Sequence, residues 1–257
     1  MSWLLFTGTA SGFPSAERAC SSILLNVAGR LYQIDAGEGF SGSALKRKID
    51  CNKIERIFIS HLHPDHVCGL FLELQLMLLA KRRTGLDIHV PDEAVDGLAQ
   101  TARIFYLFPQ KMPFAYRFKS IRPGPVYRKV GLAIYAFPNR HLESNAEIIR
   151  KLKASNKMQS YSFKIVAGGK TILYSGDIKD ESDLAGLLPG VHTAIVEGMH
   201  GDIGSICKIC AEGGVKRLIF THLPDKFPAD RRNLLSLARK AGIKKALLAY
   251  DGLKIPL

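Results

Sequence analysis

The run Arg56 to Ser60 is short and apolar, and it leads into Ser60-His61-Leu62-His63-Pro64-Asp65-His66, the stretch that most constrains what this chain can fold into. Four side chains able to ligate a metal fall within six residues, in a chain with eight histidines in all. A loop leaving a strand can turn His61 and His63 to one point while Asp65 and His66 face a second. Imidazole and carboxylate together suit zinc or a similar divalent ion. Further ligands should then follow later strands, and candidates stand there: His141 after Leu132 to Pro138, Asp177 after Thr171 to Ser175, and His222 after Arg217 to Thr221. Singly, an Asp before a turn or a lone His is an ordinary polar residue. Their joint order points to a site for two metals.

The apolar pattern around these residues reads as a sheet core with outer helices. Strands are expected at Leu4 to Thr7, Ser22 to Val27, Leu31 to Asp35, Arg56 to Ser60, Ile88 to Pro91 and Leu132 to Pro138. Others are expected at Tyr161 to Ala167, Thr171 to Ser175, Thr193 to Glu197, Arg217 to Thr221 and Lys245 to Ala249, with Ala167-Gly168-Gly169-Lys170 as a hairpin turn. Helices are expected at Ser41 to Arg47, Gly69 to Arg82, Asp92 to Phe105, Glu143 to Lys153, Ile203 to Glu212 and Ala229 to Lys240.

A length of 257 residues with 47% hydrophobic content suffices for one large domain, and no low-complexity spacer or fixed-period repeat divides it. A single domain over residues 1–257 is the expectation. The longest apolar stretch, Gly69 to Ala80, contains Glu73 and Gln75 and is too short to span a bilayer, so no membrane association is expected. Trp3 to Phe6 lacks a basic leader and reads as a first strand. Five cysteines without framework spacing suggest reduced thiols and a cytoplasmic setting, with Cys207 and Cys210 as small core residues on one helix face.

The net charge of +13 comes in clusters: Lys46 to Lys48, Lys81 to Arg83, Arg117 to Lys129, Arg150 to Lys153 and Lys244-Lys245. An anionic partner fits such a surface, as do plain solvated faces, and charge alone does not choose between nucleic acid and small phosphate esters. The aromatic run Phe105, Tyr106, Phe108, Phe114, Tyr116 and Phe118 reads as core or lid before it reads as a base-stacking platform.

H-x-H-x-D-H followed by separate His, Asp and His at strand ends resembles the metallo-β-lactamase superfamily, over nearly the whole chain. The resemblance implies an α/β (α+β) fold, the four-layer αββα metallo-β-lactamase sandwich. It also implies that His61, His63 and His141 hold one metal, that Asp65, His66 and His222 hold the other, and that Asp177 bridges both. Asp35, in Ile34-Asp35-Ala36-Gly37, matches the motif that braces the site from behind the ligands. The ions implied are two divalent metals, Zn2+ first, with Mn2+ or Fe2+ as alternatives.

Within the superfamily, lactam-cleaving zinc enzymes usually carry a cysteine where Asp177 stands, flavodiiron-type proteins replace His63 by glutamate, and glyoxalases add a helical C-terminal domain. The chain instead resembles the ribonuclease Z and phosphodiesterase branch. Its segment Gly8 to Arg18 with Ser21-Ser22 resembles that branch's N-terminal Gly-rich stretch, as do Asp35 to Gly39, Tyr174 to Asp177, Thr221-His222 and, as a final strand, Ala249 to Ile255. Ribonuclease Z also carries a long Gly/Pro-rich arm that grips tRNA, and only a hairpin lies between Tyr161 and Asp177. The basic segment between His141 and Ser160 is a lid or a connector.

The activity implied is hydrolysis of a phosphodiester, RNA included, by hydroxide bridging the two ions. Asp65 would orient the water, and Glu197 with His200, only three residues apart, correspond to the pair that assists leaving-group departure. Arg18 and Ser21 are candidates for phosphate contact or for an ordinary turn. Dimers are common in the branch, so a homodimer is expected by analogy. The alternatives are a hydrolase of another ester, thioester or lactone, and a non-hydrolytic RNA-binding relative.

Overall fold

The structure, a computed structural model, describes residues 2–224 and 231–257. Two compact units divide it, Met1–Arg122 with Tyr250–Leu257 and Pro123–Ala249.

The first unit is built on strands β1 (Trp3–Gly8), β2 (Ser22–Val27), β3 (Arg30–Ile34), β4 (Ile54–Phe58), β5 (Leu86–Pro91) and β6 (Tyr116–Ile121), in that spatial order, with Lys254–Pro256 beside β1. Pairing is antiparallel up to β3 and parallel from β3 to β6. β2 and β3 are joined by Ala28 and Gly29, both at positive φ, the turn whose twist matches the strands it connects. Helices α1 (Phe40–Lys46), α2 (Pro64–Val67), α3 (Gly69–Leu79) and α4 (Val95–Ile104) follow in the crossovers. Phe40 and Ala44 of α1 and Leu70, Leu74 and Met77 of α3 pack with Leu24, Ile57, Ile59, Ile88 and Val90 of the sheet region in one apolar cluster.

The second unit repeats this plan with unrelated residues. Strands β7 (Gly124–Lys129), β8 (Leu132–Pro138), β9 (Tyr161–Ala167) and β10 (Lys170–Tyr174) are antiparallel neighbours. β11 (Thr193–Glu197), β12 (Arg217–Thr221) and β13 (Lys245–Leu248) continue the sheet in parallel. Gly168 and Gly169, both at positive φ, make the expected two-residue hairpin between β9 and β10. Helices α5 (Ala146–Leu152), α6 (Ser182–Ala185), α7 (Ile203–Glu212) and α8 (Arg231–Lys240) belong to this unit. Cys207 and Cys210 on α7 are fully buried in its core, and all five cysteines are free thiols. The last strand, β14 (Lys254–Pro256), returns to the first unit.

Most expected elements appear within two residues of their limits, and the departures have local causes. β6 and β7 were not expected: Arg117 and Lys119 flank half-buried Phe118 in β6, and in β7 Pro125 interrupts the pattern and Arg128 and Lys129 are both exposed. The final strand expected over Ala249 to Ile255 is split, because the chain turns at Asp251-Gly252 before β14. α3 stops at Leu79, short of Arg82, whose guanidinium turns inward. The segment expected as a helix from Glu143 opens with a tight 3-10 stretch, His141–Asn145, ahead of α5. Ala229, the expected start of α8, lies outside the described residues. Phe114 and Tyr116 are core, whereas Phe105 and Tyr106 are exposed. No helix among the described residues is long and apolar enough to cross a membrane.

Candidate metal centre

Each unit carries part of the expected ligand set at strand ends: in the first unit it follows β4, in the parallel part of the sheet, and in the second it follows β8, in the antiparallel part, and β10 and β12.

In the first unit, His61 and His63 follow β4, His63 with extended backbone, and their rings meet edge to face at 4.8 Å. Asp65 and His66 sit on α2 rather than on a loop, with Pro64 at the first helical position, where its missing N–H is no loss. Each pair offers ligand atoms within 4.8 Å of one another. Behind them stands Asp35, fully buried, in the left-handed region at φ 57° just past β3. That conformation is uncommon for a residue with a side chain and is held by what the carboxylate accepts. The Ser60 N–H donates to Asp35 Oδ1 at 2.7 Å, the Ser60 hydroxyl to Oδ2 at 2.9 Å, and His66 Nδ1 to Oδ2 at 2.8 Å.

These bonds set the tautomers. A carboxylate only accepts, so His66 carries its hydrogen on Nδ1. Ser60 spends its one hydrogen on Asp35, so its oxygen accepts from His61 Nδ1 at 3.1 Å. Both rings therefore keep the Nε2 lone pair for a metal, the arrangement that outer hydrogen bonds impose on metal-ligating histidines.

Glycine is required close by. A Cβ on Gly37 would lie 2.2 Å from the Asp65 carbonyl oxygen, and one on Gly69 would lie 2.1 Å from that of Gly37, so the Asp35-Ala36-Gly37 turn and α2 touch through bare backbone. Gly12, in the N-terminal Gly-rich stretch, has the Asp65 carboxylate 3.5 Å from where its Cβ would be. Arg18 in the same stretch donates to the Thr9 carbonyl at 2.9 Å, the turn role of its two expected alternatives.

In the second unit, Asp177 lies beyond β10, with His141 Nε2 3.6 Å and His222 Nε2 3.2 Å from its Oδ2. The Ile178 carbonyl engages His141 Nδ1 at 3.3 Å, which again leaves Nε2 as the ligand atom. His222, directly after β12, is a second positive-φ residue, at 57°. Glu197, at the end of β11, is buried, and its Oε1 accepts from His200 Nδ1 at 2.9 Å. Its Oε2 takes the His200 backbone N–H at 3.0 Å, and the His200 ring stands edge to face with His141 at 4.9 Å. The ring contact thus brings His200, the second member of the pair that the resemblance implied, beside His141 in the same unit.

The donor set suits a divalent metal: imidazoles with fixed tautomers and carboxylates turned toward them.

Sequence reasoning missed Ser60, Gln33 and Glu73. Gln33 Nε2 donates to the Asp35 carbonyl at 3.1 Å and to Glu73 Oε2 at 3.0 Å. The signal was a single acid inside the apolar run that became α3. Burial without exposure to water pushes the Glu73 carboxyl up to about 8. With its folded value raised from 4.5, the folded state binds this proton more tightly than the unfolded chain does. Its contribution to stability is therefore full below pH 4.5 and falls away as pH rises towards about 8. Glu73→Gln is expected to flatten that fall, by on the order of a few kcal/mol at pH 8, in urea unfolding measured across the range.

The fold is the metallo-β-lactamase fold: the protein YhfI of that fold from Bacillus subtilis superposes with a TM-score of 0.76 at 19% identity, covering 99% of this chain and 98% of that one. The short form of human tRNase Z superposes with a TM-score of 0.74 at 19% identity, over 100% of this chain and 99% of that one. In sequence, a ribonuclease Z from Listeria welshimeri is 26% identical over 300 residues, 96% of this chain and 97% of that protein. The family profile described as "Anti-Pycsar protein Apyc1" matches residues 2–198, and the chain belongs to that family.

Proposed function

We propose that the protein is a metal-dependent phosphodiesterase whose two half-sites act as one dinuclear centre. His61, His63 and His141 would hold one divalent ion and Asp65, His66 and His222 the other, with Asp177 shared. Zinc is the ion that this mixture of imidazole and carboxylate favours, with manganese or iron as the alternatives. The observation that carries the reading is the oxygen partner at Nδ1 of His61, His66 and His141 alike, which leaves Nε2 of each ring for a metal.

When bound, the ions supply charge neutralisation for the phosphate and an acidified water. The chain's own residues do the rest. Asp35 and Ser60 hold two imidazoles in one orientation, so that no reorganisation accompanies the reaction. Glu197 fixes His200 by its Nδ1 and stabilises it as an imidazolium, and Nε2 is the atom that passes a proton to the departing oxygen.

Two-residue closure of β9 onto β10 leaves no arm of the kind ribonuclease Z uses on tRNA, which favours small phosphodiesters over tRNA as substrate. Metal-loaded protein should hydrolyse bis(p-nitrophenyl) phosphate, lose that activity on chelation and regain it with zinc or manganese. Turnover confined to a thioester or lactone in the same panel would refute the reading.

A proton donor matters most when the leaving oxygen is basic. His200→Ala should slow hydrolysis of alkyl-leaving phosphodiesters by roughly 100-fold or more while scarcely affecting p-nitrophenyl esters. Equal slowing across a leaving-group series would remove His200 from this role.

A further inference from the structure

The parallel strands of the second unit have two ends. Beyond their carboxyl ends lie Asp177, Glu197 and His222; their amino ends carry a different set. A cavity of about 440 Å³ opens there, lined by Lys170, Lys216, Arg217, Lys244 and Lys245 around His192, with Ala211, Val215, Gly214 and Gly242 as the apolar and bare-backbone part of the wall. No acidic side chain lines it, and its volume falls in the small-molecule range of about 300–1,000 Å³.

Several elements converge to make it. Lys170 starts β10, Arg217 starts β12 and Lys245 starts β13, while His192 precedes β11. The His192 carbonyl accepts the backbone N–H groups of Lys216 and Arg217, both at 3.0 Å, which pins the lip of β12 to that of β11. Gly214 and Gly242 turn the chain at positive φ after α7 and α8, with open space where a Cβ would stand. The carbonyl ends of those two helices favour a cation apiece, but Lys170, Arg217 and Lys245 begin strands, so helix ends do not account for the cluster. Among the described residues, Lys170, Lys216, Lys244 and Lys245 have no carboxylate partner. Desolvation, and after it Lys170, Arg217, Lys245 and Lys216, hold the His192 imidazole below its usual range, so the cations act on one point.

We propose that this cavity is a second anion site, separate from the metal centre, that takes a small molecule bearing two or more phosphoryl groups. Five cations around one concavity exceed what a single phosphate needs, and no Phe, Tyr or Trp lines the wall to stack a base, so the phosphates are what it recognises. Strands of five residues at about 3.3 Å each put it roughly 13 Å or more from the carboxyl-end residues, so occupancy does not compete with chemistry there.

The test follows the His192 imidazole by NMR in full-length, zinc-loaded protein as inorganic pyrophosphate is added, with sodium chloride at matched ionic strength as the control. The expected result is a saturable shift with pyrophosphate alone and a rise in the His192 pKa, since a bound anion cancels the cations that lower it. Lys216→Glu with Lys245→Glu should weaken binding by roughly tenfold or more, and the milder Lys216→Gln by less, with phosphodiester hydrolysis unchanged in each. An equal response to chloride, a shift that persists in the charge-reversed protein, or no shift at all would overturn the proposal. A response to a single-stranded oligonucleotide but not to pyrophosphate would overturn it in favour of a nucleic-acid contact.

Discussion

Replacing Asp177 by alanine should lower phosphodiester hydrolysis by about a thousandfold or more, the rate equivalent of the several kcal/mol that metal ions contribute to such a transition state. The carboxylate is buried, with His141 Nε2 at 3.6 Å and His222 Nε2 at 3.2 Å from the same oxygen. Alanine removes the anionic group between these two nitrogens, and on the proposed assignment Asp65 is then the one carboxylate left to offset the charge of the ions. Metal content should fall along with rate. Asp177→Asn separates shape from charge: it should retain the fold and part of the metal, yet recover little of the rate. The measurements are elemental analysis of dialysed protein and initial rates with bis(p-nitrophenyl) phosphate. An alanine variant with a full metal complement and near-normal turnover would defeat the assignment.

A comparably large effect on stability is expected from Arg82→Ala. This guanidinium is almost wholly buried and donates only to backbone carbonyls: Thr84 at 2.7 Å, Cys51 at 3.2 Å, Asn52 at 2.9 Å, Ile54 at 2.7 Å and Gly85 at 3.1 Å. It ties the end of α3 and the start of β5 to the start of β4, whose far end leads into the ligand motif. The Cys51 carbonyl keeps the Ile54 N–H, but alanine removes the guanidinium donor from every one of them, at about 1–3 kcal/mol for each that stays unsatisfied. Partial collapse and hydration recover some of that, and a net loss of about 3–5 kcal/mol is expected. Urea denaturation would read it as a lower midpoint at unchanged slope. Lys, with one donor centre in place of a planar fork, should restore only a minor part. A loss below about 1 kcal/mol would mean that these bonds are replaced by water.

The sequence disclosed the ligand motif because metal binding needs particular side chains at close spacing, and spacing survives translation into structure. Asp35 was legible as a brace for a related reason, yet the means were hidden. Its left-handed backbone and the roles of Ser60 and Gln33 depend on which strands end up adjacent, and a hydroxyl or amide carries no sequence signature of that. β4 was placed two residues late because Ser60 looks like the end of an apolar strand, whereas its N–H has left the ladder for Asp35. The second unit's strands β8, β9, β11 and β12 were read with their limits intact: a two-residue turn opens β8 and another closes β9, while β11 and β12 are almost wholly buried apolar runs. The pairing plan common to both sheets had no trace in the residues: strand direction and order are properties of connection, which composition does not record.

The pairing of β14 with β1 sets Leu257 against Ser2, joined by an N–H to carbonyl bond of 3.0 Å. The residues from Tyr250 onward therefore belong to the first unit although the chain reaches them only after tracing the whole of the second. The first sheet is discontinuous in sequence: its edge strand beside β1 is added last, and a backbone cut between Ala249 and Tyr250 would strip that edge from the first unit while leaving every strand of the second in place.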